Sequence, residues 1–576
     1  MKRRDFVKAL GLGGIAGTSG VLTSAAQQPS QLLEIQRSSA QPWPHWAEGR
    51  AHRMAMGRNG VVAAADGLAS LAGARMLMKG GNAFDAIVAA AAALNVVEPM
   101  MSGMCGFGGF MMIHKGTEKK TLALDMMGIS PAAASRGNMT ERDLDEGYKA
   151  PIVWGNIAGW AEVLKAHGTM SLGDVFEPAI ELAEGGFPVS AFDVASITRT
   201  FEKLSKFPTT ARIFLPNGKP PKVGWILKQP DLARSFKRVA ADGPEVLYSG
   251  ALADEIVKFL QDNGGLITKK DLAGFKVRWR QPIESTFQGH RLVTMPPGSC
   301  GMTLLQALNI MDGFDLKSME PYSAEFVHLW LESYKRAFLD DDRYNTGKEI
   351  EIPVARLISK AHADEQRRSI TAQRVSAFPG APLPVVGTTS LAAADKFGNA
   401  VAFTQSLVNG WGSGVVAGST GLLLNNGHRF GFVLDANHVN SLAGGQRAKG
   451  VMSPTLVYNG DRLLMAIGAA GGYTIPQTVG QSITKAVVYG MDIQQAIASP
   501  RMIMNRGGGQ VPVGNEAVTF LEPGFPESVG KELEARGHRF GPSATGGVVQ
   551  GVYIDPESGA LGGGSDPRAD GRPVAF

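Results

Sequence analysis

The sequence predicts an α+β fold in which layers of helix stack on antiparallel sheet. Two patterns carry this expectation. Strands come in hairpins: apolar runs at 391–394 and 400–407 flank Asp395-Lys396-Phe397-Gly398-Asn399, and runs at 455–458 and 463–468 flank Asn459-Gly460-Asp461. A third pair, 546–554 and 560–564, lies near the C-terminus. Alternating apolar runs around turns of Gly, Asn and Asp are hairpin chemistry. Helices come in blocks instead: 69–79 with 82–97, 154–167 with 171–184, and a largely helical stretch from 187 to 275 broken by Pro and Gly. Elements that segregate in this way, without alternating βα units, argue against a doubly wound parallel sheet.

Taken in order, the chain opens with Lys2-Arg3-Arg4-Asp5-Phe6, a weakly apolar Gly-rich run to residue 22, and Ser24-Ala25-Ala26. A twin arginine, a mild apolar core and small residues at the −3 and −1 positions predict a Tat-type signal peptide over residues 1–26, and hence a periplasmic or secreted protein. Gly11, Gly13 and Ala16 mimic a dinucleotide fingerprint, but no strand precedes them. Residues 27–51 read as an extended lead-in and 59–65 as a short buried strand. The helix at 69–79 stops at Gly80-Gly81, and Asn82 caps the next one. That Ala-rich helix is interrupted by Asp85 and Asn95 and is too short to span a membrane. A Gly-rich turn from 104 feeds a strand to 114, with 122–125 as its partner. Strand alternation returns at 278–295, a Pro-Pro turn at 296–297 leads into a helix at 302–311, and another helix covers 323–339. A short strand is expected at 421–424, and helices at 474–489, 493–498 and 526–536.

Composition excludes several classes. The 57 basic and 52 acidic residues are interspersed, so no nucleic-acid surface is indicated. Cys105 and Cys300 stand alone, as two buried thiols or one bridge, without metal-ligand spacing. The ten His include no HExxH or similar spacing, so no metal or organic cofactor is expected.

The chemistry concentrates between residues 387 and 414. Gly387 precedes the hydroxyl run Thr388-Thr389-Ser390, and a linker with three Pro and two Gly between Arg374 and Gly387 delivers the chain to it. Irregular exposed segments are where chains are cut. A Thr hydroxyl needs an adjacent base, and a freed α-amine with a pKa of about 7.7–8.0 suits that role at neutral pH.

At these residues the sequence resembles the γ-glutamyltransferase family. Thr388-Thr389-Ser390, Gly398-Asn399-Ala400-Val401, Thr404, Ser406-Leu407 and Trp411-Gly412 are similar to the signature around its autocleavage site. Gly80-Gly81-Asn82-Ala83, the Gly-rich strand at 106–112, Leu424-Asn425-Asn426, Met452-Ser453-Pro454-Thr455, Gly471-Gly472 and Ser565-Asp566-Pro567-Arg568 follow in family order. The resemblance implies an N-terminal-nucleophile hydrolase with a four-layer αββα sandwich, made as a proenzyme. The implied cut falls between Gly387 and Thr388, giving a large chain (27–387) and a small chain (388–576). It further implies Thr388 as nucleophile and, through its freed amine, base; Ser406 as its hydroxyl partner; and Gly471 and Gly472 as oxyanion donors.

Departures from the family pattern cluster in substrate recognition. Met127 holds the position of the family's carboxylate-gripping Arg, and no acid follows Asn425-Asn426, where Gly427-His428-Arg429 stand. Gly450-Val451 replace a Ser pair, Val408 replaces an Asn or Glu with Asn409 one residue on, and Ser390 replaces a His. Asn409, Arg429, Met127 and Val451 are therefore the candidate substrate contacts, with Met126 and Trp411 near them in an apolar pocket and Arg429 as a candidate carboxylate ligand. The expected partner is a small acyl or γ-glutamyl amide, resolved by water or an amino-acid or peptide acceptor. The expected function is a self-processing γ-glutamyl or acyl-amide hydrolase and transferase. The alternatives are a cephalosporin- or glutaryl-type acylase without glutathione activity, and a processed but catalytically silent binding protein.

Overall fold

The computed structural model describes residues 53–377, 387–505, 518–541 and 546–576. The signal-peptide expectation, the lead-in and most of the Pro/Gly linker lie outside them. Fourteen strands build two seven-stranded sheets. In chain order they are β1 (Ala55–Gly57), β2 (Gly60–Ala64), β3 (Gly108–Lys115), β4 (Lys120–Asp125), β5 (Arg278–Arg280), β6 (Ile283–Phe287) and β7 (His290–Thr294). They continue with β8 (Gly387–Asp395), β9 (Ala400–Val408), β10 (Thr455–Asn459), β11 (Arg462–Ala470), β12 (Val548–Ile554), β13 (Leu561–Ser565) and β14 (Val574–Ala575). The first sheet runs β14-β2-β8-β9-β3-β4-β5 and the second β1-β13-β12-β11-β10-β7-β6, with every pairing antiparallel.

The side-chain alternation of the strands creates the layers. On β2, Val62 and Ala64 join Leu391, Ala393, Val401 and Phe403 in a core shared with outer helices. Val61 and Ala63 join Ala392, Ala394, Ala402, Leu456 and Ile467 in a second core that includes both sheets. The principal helices are α1 (Gly67–Met78), α2 (Ala83–Val97), α3 (Asn156–His167), α4 (Leu172–Gly185), α5 (Pro230–Asp242), α6 (Gly301–Met311), α7 (Ala324–Tyr344), α8 (Thr474–Val487) and α9 (Ile493–Ala498). Helix α2 packs on β2, β8 and β9, while α8 packs on β11 and α9 on β12 and β13. The order is thus helix, sheet, sheet, helix: the αββα sandwich. All fifteen residues of α2 are buried, which is why its sequence is apolar on every side. Asn82 caps it as expected, in a reciprocal capping box with Asp85. Asp395, at the end of β8, accepts the Ala83 N–H at 2.8 Å, so the β8–β9 hairpin is pinned to the positive end of this helix.

Three expectations change. Residues 421–424 form no strand; a single bridge joins Val416 to Leu423, because Gly421 turns at φ +71° against the backbone of Asp231 and Leu232. The helix expected to end at 339 continues to Tyr344, since Asp340 and Asp341 find buried partners in Gln306 and Thr303. Strand β8 starts at Gly387 and not at 391, so the whole hydroxyl run lies within the sheet. Cys105 and Cys300 are both free and buried. Among the described residues no helix is long and apolar enough to cross a membrane.

Candidate active site

The β8–β9 ladder is regular from Ala394 back to Thr388, where Thr388 faces Ser406. There it slips, and Gly387 faces Val408. This β-bulge falls on the Gly387–Thr388 peptide, a kind of irregularity that re-aims groups beside active sites. The Thr388 Oγ1 lies 2.9 Å from Ser406 Oγ. Ser406 Oγ accepts the Val408 N–H at 2.8 Å and donates to the Gly387 carbonyl. The two hydroxyls and the Gly387 carbonyl thus form one connected set. A Cβ on residue 387 would sit 2.7 Å from the Asn409 carbonyl carbon and the Gly410 nitrogen, so only Gly fits. Val408 and Trp411 adopt φ of +92° and +67°. The left-handed region is costly for a β-branched residue, and backbone strain of this kind collects at functional sites.

Behind the hairpin lies a group that no motif announces. Glu98, at the C-terminal end of α2, is 6% exposed and faces Thr389. Burial pushes the Glu98 carboxyl up to about 8, with Asp66, Asp193 and Asp570 adding repulsion. A raised carboxyl pKa means the folded state holds a proton that the unfolded chain releases near 4.5. The associated stability is complete below that pH and falls as pH rises towards 8. Glu98→Gln is expected to melt like the parent at pH 5 and above it at pH 8, the gap growing by at most ~1.4 kcal/mol per pH unit. Parallel melting-versus-pH curves for the two proteins would rule this out.

Strand β11 presents Gly468 to the β8–β9 hairpin: a Cβ there would lie 2.8 Å from Ser390 Oγ and 3.0 Å from Thr404 Oγ1. The strand ends at Ala470, and Gly471 and Gly472 turn the chain into α8 with φ of +130° and +63°. These values suit Gly alone. Gly471 packs on Gly547, whose carbonyl accepts from Arg501 at 3.1 Å. Arg501 is 1% exposed in its side chain and pairs with the fully buried Asp566, which also binds Arg568. The Ser565–Arg568 motif therefore serves as a buried clamp under the Gly-Gly turn.

The candidate substrate contacts divide. Segment 126–128 pairs with 107–109 through Met126 N to Gly109 O and Gly128 N to Phe107 O, and Gly108 lies opposite Ser406. Met127 thus stands one strand away from the Thr388 partner, buried, with Asp125 Oδ1 accepting its N–H at 2.9 Å. The Met127 thioether and the Phe110 ring fill the space beside Gly450, and Val451 belongs to the same core. Met126 points the other way, into the outer-helix core. So does Trp411, which donates to Ser196 Oγ at 3.1 Å and packs on Phe214. These two do not share a pocket with Met127 and Val451. Asn409 donates to Asp145 Oδ1, as Asn426 does at 3.2 Å, and Asn426 Oδ1 accepts the Asn409 N–H at 3.0 Å. Arg429 pairs with the exposed Glu141 at 2.9 Å. His428 lies in the core between Ser130 Oγ and the Lys149 carbonyl, and burial lowers its pKa to about 4. Asp145 and the buried Lys449 are the charged groups here that sequence reasoning passed over; the first sits in a five-residue helix and the second in a Gly-rich stretch, neither with a motif. Among the described residues no cluster of His, Cys, Asp and Glu could hold a metal.

This geometry has known relatives. The gamma-glutamyltranspeptidase family model matches residues 69–576. The chain belongs to the gamma-glutamyltranspeptidase family. It is 36% identical to the glutathione hydrolase-like YwrD proenzyme of Bacillus subtilis, over 91% of this chain and 100% of that one. It is 35% identical to the acylase ACY 1 proenzyme of Pseudomonas sp. strain V22, over 91% and 94% respectively. Among solved structures, the cephalosporin acylase of Bacillus halodurans superposes with a TM-score of 0.83 at 31% identity, covering 93% of this chain and 98% of that one. Members called hydrolases and members called acylases thus stand at nearly equal distance, and the family places the chain among hydrolases and transferases.

Proposed function

We propose that the protein is a self-processing amidohydrolase and acyltransferase that uses Thr388, and that its donors are acylase-type acyl amides in preference to γ-glutamyl compounds. The observation that carries the first half is the Thr388–Ser406–Gly387 hydroxyl set on the bulge. In processing, Thr388 Oγ adds to the Gly387 carbonyl carbon while the Ser406 hydroxyl donates to its oxygen. The Thr388 hydroxyl proton passes to the Thr388 nitrogen as the Gly387–Thr388 C–N bond breaks, which leaves an ester and a free α-amine, and water hydrolyses the ester. Residues 27–387 and 388–576 become the large and small chains. In turnover the amine takes the Thr388 hydroxyl proton, Oγ adds to the donor carbonyl, and the Gly471 and Gly472 N–H groups receive the oxyanion. The proton passes to the leaving amine, and water or an acceptor amine releases the acyl group. The chain's own residues supply every step.

The second half rests on what surrounds Met127. The Met127 and Val451 side chains are apolar, Arg429 is engaged by Glu141, and Asp145 is held by two amides. A charged partner typically contributes about 1.5–3 kcal/mol, and around Met127 no carboxylate among the described residues is left open for a donor ammonium. Glutaryl-p-nitroanilide is therefore expected to be cleaved at least ~10-fold more efficiently (kcat/KM) than γ-glutamyl-p-nitroanilide. A preference for the γ-glutamyl donor would overturn the acylase reading. A processed protein with intact Thr388 that cleaves neither, nor any other acyl anilide, would overturn the enzymatic reading in favour of a silent binding protein.

A further inference from the structure

A cavity of about 320 Å³ that shares no residue with the Thr388 site opens where four stretches of chain meet. Helix α7 supplies Lys335, and the stretch 374–377 supplies Arg374. The short strand Val518–Leu521 supplies Thr519, and the turn after the helix Glu527–Ala535 supplies Arg536, His538 and Arg539. Backbone bonds fix the walls to one another: the Val375 N–H donates to the Arg536 carbonyl and the Thr519 N–H to the Arg539 carbonyl, each at 2.8 Å. Gly537 turns there at φ +93°, and a Cβ on it would lie 2.9 Å from the Val375 side chain, so the corner admits only Gly. Lys335, Thr519 and His538 are 5%, 3% and 5% exposed, which makes the cavity part of the fold and not a surface crease.

Elsewhere in the fold, cations of this kind are matched by acids. Arg501 and Arg568 meet Asp566 and Glu522, and Arg278 and Arg280 meet Asp125 and Glu349. Here the balance fails. Among the described residues no carboxylate lines the cavity. Glu332, which accepts the Ser376 N–H at 3.1 Å, pairs with Lys335 at 2.7 Å and with Arg336 at 2.9 Å, one acid for two cations. The Arg374 side chain has no partner among the described residues, and Arg536 donates there only to the Ala324 carbonyl, at 3.1 Å. The buried His538, 2.8 Å from the His328 ring nitrogen, feels the excess: burial first, then Lys335, His328 and Arg536, push its pKa down to about 3. Like charges around one cavity oppose the compact state unless an anion joins them.

We propose that this cavity binds phosphate, free or as the monoester of a small alcohol, and that the bound anion ties α7, residues 374–377 and residues 536–539 together. Two features select the ligand. Guanidinium groups come from two separate segments and an ammonium from a third. A tetrahedral dianion accepts from several directions at once, whereas one planar carboxylate is satisfied by a single guanidinium fork. The volume also stands at the small end of the range for ligand sites, about 300–1,000 Å³, which limits the group that carries the phosphate. The site does not depend on the Thr388 chemistry.

Calorimetry on the full chain at fixed ionic strength tests this with two probes, inorganic phosphate and glycerol 3-phosphate. Binding is expected at one site, with a rise in melting temperature. In Arg374→Gln and in Arg536→Gln the affinity should fall ~10-fold or more, and further in the double variant, because charge-assisted contacts are lost. Arg374 is exposed, so its replacement should leave the phosphate-free melting temperature unchanged or higher, which checks the fold. Tighter binding of glycerol 3-phosphate would support a monoester as the ligand, and tighter binding of inorganic phosphate the free anion. Equal binding by parent and variants would overturn the proposal, as would no heat from either probe at millimolar concentration. A melting shift that sodium chloride reproduces at the same ionic strength would mean screening alone and would overturn it too. Binding of citrate without binding of either phosphate probe would overturn the choice of ligand.

Discussion

Thr388→Ala is expected to leave the purified protein as one uncut chain, with acyl-amide hydrolysis lowered by ~10⁵-fold or more. The parent should run as two chains of roughly two-thirds and one-third of the mass under denaturing conditions. Both losses share one cause. In the proposed mechanism the hydroxyl that opens the Gly387 peptide is the one that attacks the donor, and the amine that activates it does not exist until the first reaction is complete. Removing the hydroxyl leaves Ser406 with its bonds to the Gly387 carbonyl and the Val408 N–H, so the fold should hold while the chemistry stops. Thr388→Ser keeps the hydroxyl and should restore two chains and measurable turnover. Two bands from Thr388→Ala would remove the nucleophile from the account altogether.

The second large effect is on stability. Asp566→Ala should lower unfolding stability by ~3–5 kcal/mol, because it leaves the buried Arg501 without its paired anion and takes one of two from Arg568. Asp566 accepts from Arg501, from the Arg568 guanidinium at 3.0 Å and from the Val549 N–H at 2.9 Å. Arg568 keeps Glu522 as a partner, whereas Arg501 keeps only the carbonyls of Ile497, Gly546 and Gly547. Since Gly547 underlies Gly471, turnover should fall as well. Burial opposes the charge on Asp566, but Arg501 and Arg568 outweigh it and hold the carboxyl below its usual range. Its contribution is therefore present above the ordinary Asp pKa and is lost as pH falls through the lower folded value. Urea unfolding at pH 7, carried out on the uncut Thr388→Ala chain, gives the comparison. A change below ~1 kcal/mol would show that the clamp is not what holds the turn.

Legibility tracked how local each signal was. Hairpins were readable because period-two alternation and turn chemistry sit within ten or so residues, as at 455–468. Asn82 was readable as a cap from its own neighbours. Thr388 stands out as a candidate because a motif and a linker adjoin it. The bulge at Gly387–Thr388 was not, since it is a property of pairing with residues 406–408 and no single segment contains it. Glu98 and Asp145 were invisible for the same reason: their meaning comes from Thr389 and Asn409, hundreds of residues away. Lys449 reads as an ordinary solvated lysine in a Gly-rich stretch until its burial is known. Met126 and Met127 could have been separated at the outset, since successive residues in extended chain point to opposite faces.

The strand order has a consequence beyond catalysis. In the first sheet β8, β9 and β14 follow the proposed cut and β2, β3, β4 and β5 precede it. In the second, β1, β6 and β7 precede it and the other four follow. The precursor folds as one molecule, at a rate independent of its concentration. Once cut at Gly387, the same sandwich is held by two chains interleaved in both sheets, and unfolding sets them adrift. Recovery then requires an encounter between two partners, neither of which has a complete sheet, so it slows with dilution and competes with aggregation. The proposed cut would thus make the fold a one-time assembly: the processed protein would persist by unfolding slowly, not by refolding well.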